Sequence, residues 1–179
     1  MLLRPGSRPA RDLPAATRPW AALVRGGVRL AVDVGSARVG VARCDPGGFL
    51  ASPLTVVPAG AGAKGEIIAL AAAADAIEVI VGLPTSLSGR EGPAAAGART
   101  FALDLAERIT PIPVRLVDER FTTTQAHDAL RRGGKDSRAR RQVVDAAAAA
   151  VLLQAALDTE RATGRPAGQL VTLKGGAPA

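Results

Sequence analysis

The chain has 179 residues, 47% apolar and 22% charged, with a formal net charge of +7. This length favours one domain with a full core, and the balance is that of an ordinary globular protein. No apolar run approaches the ~18 residues of a membrane span and no charged-then-apolar leader opens the chain, so no membrane partner is expected and the cytoplasm is the default compartment.

The positive charge rests on 20 Arg and only 3 Lys. It is concentrated in two segments. Residues 1–27 carry five Arg against one Asp, and residues 131–141 carry six basic residues against Asp136. A basic chain favours polyanionic partners. Cys44 is the single cysteine, so no internal disulfide can form. In a strand pattern it reads as a small buried hydrophobe, with an intermolecular disulfide as the lesser alternative.

Residues 1–27 are rich in Pro, Arg and Ala without periodicity and read as a disordered basic arm. A globular domain is expected over 28–162 and a flexible Gly- and Pro-rich tail over 163–179. Within the domain the pattern predicts strands at 28–34, 38–44 and 50–57, a helix at 64–75, a strand at 77–82, a helix at 93–109 and a strand at 112–118. Helices at 122–132 and 141–162 follow, separated by a loop. Three strands followed by strands alternating with helices argue for an α/β domain around a five-stranded mixed sheet. Pro93 suits a first helical turn after Gly92. Thr122 with Gln125 forms a capping box, and Gly133-Gly134 ends that helix. There is no internal repeat.

Asp33 is the most informative residue. It lies in Val28–Val34, a run of apolar and β-branched residues that reads as a buried strand, where a carboxylate is costly unless neutralised or hydrogen-bonded. Asp118 and Glu119 close the strand Val114–Val117, and Asp145 is expected in the first turn of the last helix. Crossovers can bring these acids to one sheet edge. Mg²⁺ or Mn²⁺ asks for hard oxygen ligands of this kind, and a pair of such ions can support phosphodiester cleavage. Each acid has a plainer reading. Asp33 could be a paired or turn carboxylate, and Asp118, Glu119 and Asp145 could favour helix N-termini through the dipole.

The loop Gly82–Gly92 joins a strand to a helix and could hold a phosphate, or be a polar turn. The basic residues Arg131, Arg132, Lys135, Arg138, Arg140 and Arg141 precede Asp145 and are candidates for gripping nucleic-acid phosphates, although such a run is also an ordinary solvated loop. With Trp20, Phe49, Phe101 and Phe121 as the only aromatics, recognition should be of backbone and shape rather than by base stacking. His127 is the only histidine and has no Cys or His partner nearby, which disfavours zinc.

Four motifs in order carry a family resemblance. They are Val32-Asp33-Val34-Gly35 with Gly40-Val41-Ala42, Val81-Gly82-Leu83-Pro84 with Gly89 and Gly92-Pro93, Asp118-Glu119-Arg120-Phe121-Thr122-Thr123, and Asp145–Leu153. Over residues 28–160 the chain resembles the YqgF/RuvX family. The resemblance implies a ribonuclease-H-like fold related to Holliday-junction resolvases and a nuclease role in maturing the 5′ end of pre-16S rRNA. Its acidic motifs match Asp33, Glu119 and Asp145, which would be both catalytic residues and ligands of Mg²⁺ or Mn²⁺. The implied substrate is structured RNA, or else branched DNA, handled by a monomer or homodimer. Two other classes compete. One is an actin- or hexokinase-type ATP-binding protein, whose phosphate hairpin also resembles Asp33–Gly40 but whose fold needs two such domains. The other is a non-catalytic RNA-binding assembly factor.

Overall fold

A computed structural model of the chain describes residues 25–85, 92–119 and 138–173. Arg29–Val34 (β1), Arg38–Cys44 (β2) and Ala51–Pro58 (β3) form an antiparallel meander. The β1–β2 turn closes through a hydrogen bond from Gly35 N to Arg38 O at 2.9 Å. A Cβ on Gly35 would lie 2.6 Å from that same carbonyl oxygen, so the turn requires glycine. Helix α1 (Ala63–Ala73) returns the chain to β4 (Glu78–Leu83), which lies parallel to β1. Helix α2 (Pro93–Ile109), with Pro93 in its first turn after Gly92, leads to β5 (Val114–Asp118), parallel to β4. The long helix α3 (Arg138–Thr163) and the short strand β6 (Gln169–Leu170) complete the fold. The sheet order is β3-β2-β1-β4-β5-β6.

Alternation along the strands feeds two cores. Leu30, Val32, Val39, Val41, Val79 and Val81 point to one face and pack with Ile67 of α1 and Leu105 and Ile109 of α2. Ala31, Ala42, Ile80 and Val117 point to the other and pack with Ala149, Leu152, Leu153, Ala156 and Leu157 of α3. This is the ribonuclease-H-like mixed sheet flanked by helices, built with six strands rather than five.

The sixth strand lies in the segment that reads as tail. Two residues are too few for a periodic signal, and tertiary contacts place them. Arg115 donates from Nε to Ala167 O and from Nη2 to Gly168 O, both at 2.8 Å. Gly168 has φ +71°, and a Cβ there would lie 2.1 Å from Leu116 O, so only glycine lets the chain turn onto β5. The last helix also begins earlier than position 141. The run Arg138-Ala139-Arg140-Arg141-Gln142 contains good helix formers and no breaker, and it is helical. Asp145 is therefore about two turns inside α3 rather than in its first turn, and the dipole explanation does not apply to it. The helix expected at 122–132 with its Thr122 cap, the Gly133-Gly134 stop, His127 and Trp20 lie outside the described residues.

Residues 25–27, at the end of the expected arm, are tied to the domain. Arg25 donates to Glu160 Oε1 from its backbone N at 3.0 Å and from Nε at 2.9 Å, and Nη2 reaches Glu78 Oε2 at 2.9 Å. Arg29 adds a bond from Nη2 to Glu160 Oε1 at 3.1 Å and another to Arg25 O at 2.7 Å. Arg29, Glu78 and Glu160 are all buried. The cluster joins the starts of β1 and β4 to the last turns of α3. Burial pushes the Glu160 carboxyl up, but the hydrogen bonds from Arg25 and the charge of Arg29 outweigh it and hold it below the usual carboxylate range. A group with a depressed pKa stabilises the fold above its unfolded-state value of about 4.3 and loses that contribution as pH falls through the folded value. Glu160→Gln should cost about 3 kcal/mol at neutral pH by leaving buried guanidinium charge uncompensated. Urea unfolding across a pH series checks this, and the variant should lose less stability than the parent on acidification below about pH 4.

Candidate active site

The three family acids lie on the α3 side of the sheet. Asp33 is paired across the β1–β2 ladder with Gly40, and directly opposed residues share a face. That face is fixed by Gly40: a Cβ there would lie 2.0 Å from the backbone oxygen of Asp145. Helix α3 thus crosses β2 at backbone contact, beside Asp33. On β4, Gly82 follows Val81, whose parallel partner is Val32, so Gly82 lies alongside Asp33. A Cβ on Gly82 would meet Glu119 Oε1 at 2.7 Å and Leu152 Cδ2 at 3.1 Å. The Glu119 carboxylate therefore lies over Gly82, again on the α3 side. Gly82 makes room for the Glu119 carboxylate, and Gly40 for the α3 backbone at Asp145.

Strand alternation separates Asp118 from Glu119. Val117 packs in the α3 core and Leu116 in the opposite core, so Asp118 turns to the side of α1 and α2. There it accepts a hydrogen bond from the Thr85 hydroxyl. The two neighbouring acids, equivalent on sequence alone, occupy different faces. A cleft of about 300 Å³ opens beside Asp118, walled by Leu83, Leu116, Val117, Ala155 and Thr159, and none of the three family acids lines it.

Asp145 has a partner that the sequence reading does not single out. Arg38 Nε donates to Asp145 Oδ2 at 2.6 Å. Arg38 is two residues before Gly40 and so shares its face; that period-2 relation was available in the sequence. The three carboxylates share a face without forming a closed ligand cage, since among the described residues no three His, Cys, Asp or Glu side chains are grouped so as to hold one metal ion. The donor set itself suits a hard divalent cation: three half-buried carboxylates on one side of the sheet. Of the proposed phosphate-gripping residues, Arg131, Arg132 and Lys135 lie outside the described residues. Arg138, Arg140 and Arg141 lie in the first turn of α3, and their side chains are outside the described residues. Residues 86–91 of the strand–helix loop are likewise outside them.

The chain matches the family model described as "RuvX: Holliday junction resolvase" over residues 27–159. Relatives named "Putative pre-16S rRNA nuclease" include one from Nocardioides, 56% identical over 83% of this chain and 98% of the relative. Another, from Thermobifida fusca, is 57% identical over the same shares, and one from Streptomyces coelicolor is 53% identical over 82% and 89%. Among solved structures, Thermus thermophilus RuvC superposes with a TM-score of 0.46 at 18% identity, covering 78% of this chain and 99% of that one.

The two glycines should respond differently to alanine. At Gly40 the added methyl meets helix backbone, which cannot move aside, so Gly40→Ala should cost about 3 kcal/mol or more. At Gly82 it meets the ends of two side chains, and alanine is otherwise the better strand residue, so Gly82→Ala should stay within about 1 kcal/mol of the parent. Urea midpoints of the two variants measure the contrast.

Proposed function

The chain belongs to the RuvX family, and we propose that it is a metal-dependent nuclease that hydrolyses phosphodiester bonds of structured RNA, in the maturation of the 5′ end of pre-16S rRNA. The observation that carries this reading is the gathering of Asp33, Glu119 and Asp145 on one sheet face over Gly40 and Gly82. Asp33, Glu119 and Asp145 would hold Mg²⁺ or Mn²⁺, which, when bound as a pair, lowers the pKa of water and offsets charge on the leaving oxygen. The chain's own residues supply the rest. Gly40 lets α3 seat Asp145 against β2, Gly82 leaves room for Glu119, and β1 carries Asp33. The pairing of Asp118 with Thr85 orders the end of β5, from which Glu119 projects.

Substrate recognition falls to the basic segment Arg131–Arg141. Arg138, Arg140 and Arg141 open α3, where the helix dipole disfavours cations and a bound phosphate would restore the balance. No helix among the described residues is long and apolar enough to cross a membrane, and the proposal places the protein in the cytoplasm, as a monomer or homodimer. The family description favours a second substrate, a branched DNA junction. A cleavage assay of purified protein with Mg²⁺ or Mn²⁺, comparing pre-16S rRNA fragments with four-way DNA junctions, separates the two.

In that assay Asp33→Asn should lose cleavage by at least about 100-fold, a loss of ~3 kcal/mol of transition-state stabilisation, while melting normally and still binding RNA. Cleavage at the parent rate by a clean preparation would assign Asp33 a structural role and end the nuclease reading. Replacing Arg138, Arg140 and Arg141 together by Ala should weaken binding to unrelated RNA sequences alike. It should also flatten the slope of log affinity against log salt by up to about 0.7–0.9 per lost phosphate contact. An unchanged slope would return these residues to a solvated helix end.

A further inference from the structure

The bond between Arg38 and Asp145 is unusual in placing a guanidinium on one of the three acids that the nuclease reading assigns to metal. We propose that Arg38 is an exchangeable cation of the acidic site. It holds the Asp145 carboxylate until a divalent cation takes that carboxylate, and it then turns to a phosphate of the bound nucleic acid. The proposal rests on the nuclease reading and adds a residue to it.

Three observations support exchange over a fixed structural tie. The contact is a single Nε–Oδ2 bond of 2.6 Å rather than a two-pronged fork. A guanidinium can offer a fork to carboxylate or phosphate alike, and among the described residues the two Nη groups of Arg38 make no hydrogen bond. Both side chains are 31% exposed, so water screens the pair and a doubly charged ion can displace it. The bond is also not needed to seat the helix. The backbone of Asp145 already rests on Gly40, and Leu152, Leu153 and Leu157 are buried against the sheet.

The backbone of Arg38 has little freedom. Its carbonyl accepts from Gly35 in the turn, and it is paired with Pro58 of β3. An exchange would therefore swing the side chain alone, about a root that lies just across the turn from Asp33. Arg38 thus reaches the acids from the β2 side, whereas the basic opening of α3 follows on from the helix that carries Asp145. A phosphate held by Arg38 would lie beside the acids themselves.

The test uses the full chain and two readouts that need no cleavage. Calorimetric titration with Mn²⁺ alone compares the parent, Arg38→Gln and Asp145→Asn, with melting curves to establish folding. Arg38→Met, which keeps the apolar stem, serves if the glutamine variant melts early. Removing the competing cation should tighten Mn²⁺ binding roughly two- to fivefold, the factor that matches a partly exposed ion pair. Fluorescence anisotropy with a labelled RNA in EDTA gives the second readout. Asp145→Asn releases Arg38 without metal and should tighten RNA binding by a similar factor, and the gain should vanish in the Arg38→Gln/Asp145→Asn double variant. Unchanged or weaker Mn²⁺ binding in Arg38→Gln, or an RNA gain that survives in the double variant, overturns the exchange and leaves Arg38 as a support for Asp145. If folded parent and Arg38→Gln both take up no Mn²⁺, the metal-dependent nuclease reading itself fails, a result distinct from parent binding that Arg38→Gln leaves unmoved.

Discussion

Everything in this fold that concerns the acids depends on how closely α3 can lie on the sheet. The Asp145 carbonyl and the α-carbon of Gly40 are in contact, with no space for a methyl group between them. The same economy extends along the interface: Ala31 and Ala42 on the sheet face Ala146, Ala149, Ala150 and Ala156 in the helix or its buried surroundings. A helix that presents small side chains to a strand of small side chains can approach to backbone distance, and larger residues at these positions would overpack the interface. Within the alanine run 146–150, Ala149 and Ala150 are thus held small by packing. Its consequence is that the Asp145 backbone rests on the ladder partner of Asp33.

The far end of the same helix is held by a different force. Glu160 is buried against Arg29 and bonded by Arg25, while Glu78 on β4 shares the cluster. Such burial is expensive, and here it is incomplete: Glu78 Oε1 and Arg29 Nε have no hydrogen-bond partner among the described residues and face only ionic contacts, Glu78 Oε1 to Arg115 at 3.9 Å and Arg29 Nε to Glu78 at 4.0 Å. An apolar cluster of equal volume would serve stability as well. What the ionic version adds is direction, because only one register of α3 brings Glu160 to both arginines. With one end fixed in register by charge and the other in height by glycine contact, the position of Asp145 is determined twice.

Much of this was legible in the sequence. The strand and helix order from 28 to 118 follows from apolar periodicity and turn residues, and the meander followed by alternating elements is enough to place Asp33 and Glu119 at one edge. The choice of Glu119 over Asp118 was readable only through the family motif, because two adjacent acids at a strand's end take opposite faces and the sequence alone does not say which face α3 covers; the packing of Glu119 over Gly82 shows its face directly. What the sequence hid has specific causes. The first turn of α3 is masked by charge, since Arg-rich residues at a helix start carry no apolar stripe. Strand β6 has two residues and exists because Arg115 and Gly168 hold it. Arg25 reads as part of a polar arm, and it is the buried Glu160 and Glu78, 135 and 53 residues away in sequence, that tie it to the domain.

The two ends of α3 also divide rigidity from adjustment. At the Glu160 end the side chains are buried and their partners fixed, so charge there is structural. At the Asp145 end the backbone is packed on β2, yet Asp145 and Arg38 are each about one-third exposed. A side chain anchored on rigid backbone but screened by water can change partners without moving its element. The exchange proposed for Arg38, a cation and then a polyanion, needs that combination. A fully buried acid would resist charge changes, and one on a mobile loop would lose its geometry. The backbone contact at Gly40 therefore does more than pack a helix. It leaves the Asp145 side chain about one-third exposed while its α-carbon stays where the sheet puts it.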